Sequence, residues 1–177
     1  LREAMAWIDA TMQAMRAEGR TPVFSEAFGE ADLNGILLRG KPDRIDRLPD
    51  GTLAIVDYKS GRNPTPKQVQ AGFALQLGLL GVLAECGAFD GVKGEVSTFE
   101  YWRMIRSGGT FGKAQAMSTG KEDHRTLAEM AHETLEATVN AYLWGDKPFC
   151  ARLHPEFANY ADYDQLMRLE EWNGPQG

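Results

Sequence analysis

Residues 39–64, RGKPDRIDRLPDGTLAIVDYKSGRNP, join two β-prone segments through Pro49-Asp50-Gly51, and that turn constrains the fold more than any other feature of the chain. A three-residue loop with Gly51 in the left-handed conformation closes a type I turn plus G1 bulge, which pairs Leu48 with Thr52. Counting back, Arg47 faces Leu53, Ile45 faces Ile55 and Asp43 faces Asp57. The Asp43 and Asp57 Cβ atoms then lie about 5 Å apart, an arrangement that like charges oppose. Lys59, two residues past Asp57, shares its face because side chains alternate along a strand. Ionised groups at the edge of a core must be paired, solvated or bound to a metal. Two convergent carboxylates and a backbone carbonyl suit a hard divalent ion such as Mg²⁺. The alternative is that Asp43 and Asp57 only neutralise Arg and Lys side chains across the hairpin.

Around this hairpin the pattern alternates helix and strand. Met5, Ile8, Met12 and Met15 recur at helical spacing and predict a helix over residues 3–18 with these side chains as a core stripe, stopped by Gly19. Residues 22–33 and 35–48 read as strands, followed by the strand TLAIVDYKS from Thr52. Residues 65–89 form a long apolar helix, 94–105 a fourth strand, 107–123 a glycine-rich loop or ragged hairpin, and 122–144 a further amphipathic helix. The expected fold is therefore α/β, with a mixed central sheet of about four strands in the order helix, three strands, helix, strand. Residues 1–145 form the core and 146–177 an irregular tail packed by its aromatics. Phe99, Tyr101 and Trp102 on the fourth strand are read as core filling ahead of base stacking.

Composition narrows the function. A chain of 177 residues with 43% hydrophobic content supports one core. The net charge of −6 excludes a uniformly basic nucleic-acid surface but leaves room for a local basic groove. Arg39 to Lys67 is the densest basic stretch; Arg103, Arg106, Lys113, Lys121 and Arg125 make a looser one, read as a solvated face. Cys86 and Cys150 lack the spacing of a disulfide framework or a zinc site, and no apolar run reaches membrane-spanning length, so a cytoplasmic protein without membrane contact is expected. His124, His132 and His154 have no partner at metal-ligand spacing and are read as polar-face or capping residues. The chain opens in mid-pattern at Leu1, as a fragment of something longer would.

Pro42-Asp43 followed by Asp57-Tyr58-Lys59, within GKPDRID and IVDYKSG, strongly resembles the motif of the PD-(D/E)xK nucleases, and QLGLL at 76–80 is similar to the glutamine motif of their RecB-type branch. The likeness is greatest to the C-terminal nuclease domains of AddB-type subunits of AddAB helicase–nucleases, and the tail from Pro148 is similar to how those chains end. The resemblance implies a restriction-endonuclease-like core that hydrolyses DNA phosphodiester bonds with Mg²⁺ or Mn²⁺ in double-strand break repair, beside an AddA-like helicase–nuclease subunit. It implies Asp43 and Asp57 as metal ligands, the Tyr58 carbonyl as a third, Lys59 as the catalytic lysine and Gln76 as the glutamine that steadies the site. Glu26 is a candidate accessory ligand, with a solvent-facing strand glutamate as the alternative.

The chain departs from the RecB-type pattern at Leu80, where a tyrosine is usual. Relatives often have a histidine or glutamate ligand on the helix before the first strand; of these two residue types the helix here offers only Glu3 and Glu18, and the equivalent is expected upstream of Leu1. Some AddB proteins hold an iron–sulfur cluster by four cysteines; Cys150 has no companions, so no cluster is expected. A Cas4-like or phage exonuclease, and an inactive nuclease fold retained as a DNA-binding or docking module, are the rival readings.

Overall fold

A computed structural model describes residues 2–61, 63–72, 74–107, 109–119 and 125–149. Helix α1 (Arg2–Ala17) is followed by β1 (Thr21–Phe24), β2 (Gly29–Leu33), β3 (Ile36–Gly40), β4 (Arg44–Arg47) and β5 (Leu53–Lys59). Then come α2 (Pro66–Gln70), α3 (Gln76–Cys86), β6 (Val96–Ser107), β7 (Thr110–Ala116) and α4 (Leu127–Tyr142). The central sheet has five strands in the order β1-β4-β5-β6-β7, and β2-β3 forms a separate two-stranded sheet. Among the described strands only β5 and β6 are parallel, joined by the crossover that carries α2 and α3. The α/β class and the mixed sheet flanked by helices agree with expectation, with more strands than the sequence suggested.

The additional strands come from two breaks. Residues 22–33 divide into β1 and β2 where Glu26 takes a positive φ of 54°. Residues 35–48 divide into β3 and β4 at Lys41-Pro42, because proline has no N–H to give a ladder. The Pro42 carbonyl instead accepts from the Glu26 N–H at 3.1 Å. The expected long helix 65–89 is likewise two helices; Gly72 at φ +69° ends α2. Residues 107–123 contain a true hairpin strand, β7, antiparallel to β6. Residues 120–124, with Lys121 and His124, and 150–177, with Cys150, His154 and most of the tail, lie outside the described residues.

Register in the β4–β5 hairpin is as counted from the turn: Arg47 pairs with Leu53, Ile45 with Ile55 and Arg44 with Val56. The Leu48 N–H donates to the Thr52 carbonyl at 2.9 Å, and Gly51 has φ +90°. Strand alternation then gives the sheet two unlike faces. Ile45, Leu53, Ile55 and Phe99 face the main core with Leu77, Leu80 and Leu83 of α3. Each such leucine contributes roughly 1.5–3 kcal/mol by leaving water. Helix α3 is apolar almost all round because α4 covers its far side, and Gly78 permits the approach: a Cβ there would lie 2.6 Å from the Ala131 Cβ.

The opposite face carries α1, docked through Trp7, whose ring meets Trp102 edge-on with centroids 5.7 Å apart. No residue of α1 is fully buried, and Met5 is 62% exposed. The expected stripe of Met5, Ile8, Met12 and Met15 is therefore only a half-buried seam, since Trp7 supplies the contact. Beneath it lies a buried ion network. Asp46 accepts from Arg20 Nε and Arg44 Nε, both at 2.6 Å. The Arg20 guanidinium also forks onto Glu100 at 2.9 and 3.0 Å, and the Trp102 indole donates to Glu100 at 2.9 Å. Burial alone would lower the Arg20 and Arg44 pKa values; their carboxylate partners outweigh it and hold both above the ordinary arginine range.

Candidate active site

At the C-terminal end of β5, on the α3 side of the sheet, Asp57, Lys59, Gln76 and Asp43 come together. The paired ladder stops at Arg44 and Val56, one step short of Asp43 and Asp57. Asp43 bends in from this point so that its Oδ2 accepts from the Tyr58 N–H at 2.6 Å. Asp57 is 3% exposed. Burial pushes its carboxyl above the usual carboxylate range, and the Asp43 charge adds to the rise, against the opposing pull of Lys59.

Gln76, the first residue of α3, joins the acid to the lysine. Its Nε2 donates to Asp57 Oδ1 at 2.8 Å and its Oε1 accepts from Lys59 Nζ at 3.0 Å. This orientation of the amide is dictated by its neighbours, because an ionised carboxylate only accepts and an ammonium only donates. Lys59 Nζ also stands 2.8 Å from Asp57 Oδ2 as an ion pair, and among the described residues no other donor reaches that buried oxygen. Tyr101 forms the wall below, its ring centroid 5.4 Å from Lys59 Nζ. Burial first, and then the Asp57 charge, push the Tyr101 hydroxyl up to about 12, so it stays protonated near neutrality and is no general base.

Two carboxylates side by side at the edge of a core call for cationic charge, which Lys59 supplies in part. The donor set is hard oxygen: Asp57 Oδ2 and the Asp43 oxygen that Tyr58 leaves free. These residues fit a small divalent ion. Among the described residues no third Asp, Glu, His or Cys joins them to make a group of three. Glu26 is on the bend after β1, 61% exposed, and ion-paired with Lys41. His132 sits on α4, 3.7 Å from Glu136.

Sequence reasoning missed Tyr101 as the floor of the site and missed the ion network on the other face. The even-numbered Arg44 and Asp46, flanking buried Ile45, were the available signal for that network; Arg20 and Glu100 carried none.

A mixed sheet between helices, with an acid, a lysine and a second acid converging at the end of a central strand, has the restriction-endonuclease-like architecture. The chain belongs to the PD-(D/E)XK nuclease superfamily, whose sequence model matches residues 1–152. Over a 50-residue stretch, 26% of this chain, it is also 50% identical to an ATP-dependent helicase/deoxyribonuclease subunit of Streptococcus mutans serotype c (strain ATCC 700610 / UA159). That stretch spans 5% of the length of the Streptococcus protein.

Proposed function

We propose that this domain is a metal-dependent DNA nuclease that hydrolyses phosphodiester bonds with Mg²⁺ or Mn²⁺ as cofactor. The observation that carries the proposal is the buried Asp57 carboxylate at the end of β5, with the second acid Asp43 beside it and Lys59 against its Oδ2. On this reading Asp43 and Asp57 hold the ion, with the Tyr58 carbonyl as a further oxygen and Glu26 as an accessory ligand that would have to release Lys41. When bound, such an ion supplies Lewis-acid stabilisation of the phosphate and acidifies the attacking water.

The chain's own residues do the rest. The Tyr58 N–H fixes Asp43, and Gln76 fixes Asp57, so the free oxygens of the two acids are positioned before any ligand arrives. Lys59 lies against Asp57 Oδ2 and the Gln76 amide oxygen, and its ammonium would offer a donor to a phosphate oxygen or to water. A cation placed where charge develops stabilises the transition state more than the ground state. Gln76 is a positioning residue on this scheme, since it acts through Asp57 and Lys59.

The match to a helicase/deoxyribonuclease component supports a place for the domain in an AddB-like protein. There it would act in the cytoplasm as an exonuclease beside an AddA-like helicase–nuclease during double-strand break repair, with residues 1–145 as the catalytic core. The test is cleavage of end-labelled single- and double-stranded DNA with Mg²⁺, with Mn²⁺ and with EDTA. Divalent-dependent shortening of the strands, absent from Asp57→Ala, is the expected result. Cleavage that survives EDTA, or equal cleavage by Asp57→Ala, would refute it.

A further inference from the structure

The loose basic group of the second half of the chain divides into two kinds of residue. Arg106 is ion-paired with Glu3 of α1, and Arg125 with Glu133 of α4. Arg103 and Lys113 have no ion pair among the described residues. They are also not scattered. In the sheet register Lys59 of β5 lies beside Arg103 of β6, and Arg103 lies beside Lys113 of β7.

Neighbours in register share a face, so three cations form one row across three strands, leading outward from the Asp57 oxygen. The row behind it is Asp57, Tyr101 and Gln115, and its single carboxylate is already shared with Lys59. Like charges directly opposite one another destabilise a sheet, and here two such pairs are adjacent. Arg103 is the informative member. It is half-buried, its Nε is shielded from solvent, and that Nε has no acceptor. Among the described residues the two buried arginines, Arg20 and Arg44, each have a carboxylate partner within 3 Å. A half-buried guanidinium with no ion pair among the described residues and a shielded Nε that has no acceptor, in a row of cations beside a phosphodiesterase site, lacks the partner its chemistry calls for.

We propose that the row Lys59–Arg103–Lys113 is a phosphate track that seats the nucleic-acid backbone next to the scissile bond, with Arg103 as its anchor. This rests on the nuclease reading above and deepens it by assigning the path of the substrate. Strands about 4.8 Å apart put Lys59 and Lys113 roughly 10 Å from each other, so the row reaches past the reacting phosphate to the one beyond it. The path runs from β5 across β6 to β7, the last strand of the described sheet, where Lys113 is exposed. Beyond Arg103 the ladder slips by one residue before Arg106 pairs with Phe111, and such bulges re-aim side chains beside active sites. Because the contacts are to phosphates, the track gives affinity and polarity without sequence preference.

The experiment is fluorescence anisotropy of a labelled single-stranded oligonucleotide with Ca²⁺ in place of Mg²⁺, over a range of salt, for the wild type, Arg103→Gln, Arg103→Lys, Lys113→Gln and Arg106→Gln. Arg103→Gln should bind on the order of 10-fold more weakly, with a salt slope shallower by about 0.7 for one lost phosphate contact, while its Mn²⁺ titration is unchanged. Lys113→Gln should lose a few-fold, Arg103→Lys should recover the salt slope but not the full affinity, and Arg106→Gln should match the wild type. If Arg103→Gln fails to fold, Arg103→Lys and the exposed Lys113→Gln decide the matter, and wild-type affinity and slope in both overturn the track. A wild type that cleaves DNA alongside an Arg103→Gln that binds normally overturns the track and leaves the nuclease reading standing. A wild type that neither binds nor cleaves overturns both.

Discussion

One substitution made at two aspartates of the same hairpin should change stability in opposite directions. Asp46 and Asp57 lie on neighbouring strands and are both almost fully buried, but on opposite faces. Asp46→Asn keeps one acceptor for two guanidinium groups and turns an amide N–H₂ against the other. Arg20 retains Glu100, whereas Arg44 is left with the Trp102 ring, 5.0 Å away, and the Tyr58 hydroxyl. Removing one partner of a buried ion pair costs about 3–5 kcal/mol. At about 2–4 °C per kcal/mol for a domain of this size, the Tm should fall by roughly 6–20 °C.

Asp57→Asn has the other sign in metal-free protein. The native fold holds the Asp57 carboxyl above its ordinary pKa, so ionising it is harder in the folded state than in the unfolded chain. Its contribution to stability is therefore present at low pH and lost as pH rises from the ordinary carboxylate range through the raised native value. The neutral amide escapes that loss, so the Tm of Asp57→Asn should equal the wild type's in acid and match or exceed it at neutral pH, with cleavage abolished. Thermal unfolding by circular dichroism with EDTA, at several pH values, is the assay. A neutral-pH Tm for Asp57→Asn several degrees below wild type would refute the reasoning, because it would make Asp57 a structural ion-pair partner like Asp46.

Three further outcomes are expected. Asp43→Ala and Asp57→Ala should both abolish Mn²⁺ binding by calorimetry together with cleavage, whereas Lys59→Ala should keep or tighten metal binding and cleave on the order of 10²-fold more slowly; near wild-type turnover in Lys59→Ala would remove it from the chemistry. Gln76→Ala should lower kcat with little change in KM and weaken metal binding, because it loosens Asp57 and Lys59 together, and Gln76→Glu should not restore it, since a carboxylate cannot donate to Asp57; full activity in either variant would show that the bridge is incidental. Gly78→Ala should lower the Tm by several degrees while leaving Mn²⁺ affinity intact, since a Cβ there presses α3 off α4, and overpacking costs about 1–3 kcal/mol; an unchanged Tm would mean that the helices have slack.

The parts of the site legible in sequence were those set by local geometry. Three residues, Pro49 to Gly51, sufficed to pair β4 with β5, and the alternation of strand side chains then put Lys59 beside Asp57. Gln76 was found only through resemblance, since nothing local to 76–80 says that the first turn of that helix lands over β5. The breaks at Glu26 and Gly72 went unread because each depends on a single positive φ inside an otherwise continuous pattern. Burial of Arg20 was invisible for a different reason: its partners, Asp46 and Glu100, are 26 and 80 positions away and meet it only once β1, β4 and β6 share a sheet. Arg103 was read as solvated because its charge was visible and the missing counter-charge was not.

The Pro49-Asp50-Gly51 turn is exposed at its tip and lies at the far end of the hairpin from the end of β5 that carries Asp57 and Lys59. Surface loops of that description ordinarily accept added or deleted residues. Here a single-residue change in loop length that shifted the pairing would turn a whole strand over, carrying Arg44 and Asp46 toward α3 and turning Asp43 away from Asp57. On the nuclease reading, the length of this connection, more than its composition, is thus under the control of the chemistry proposed for the other end of the strands. Insertions and deletions at 49–51 should behave in a selection like active-site mutations, in a place where no side chain touches a reactant.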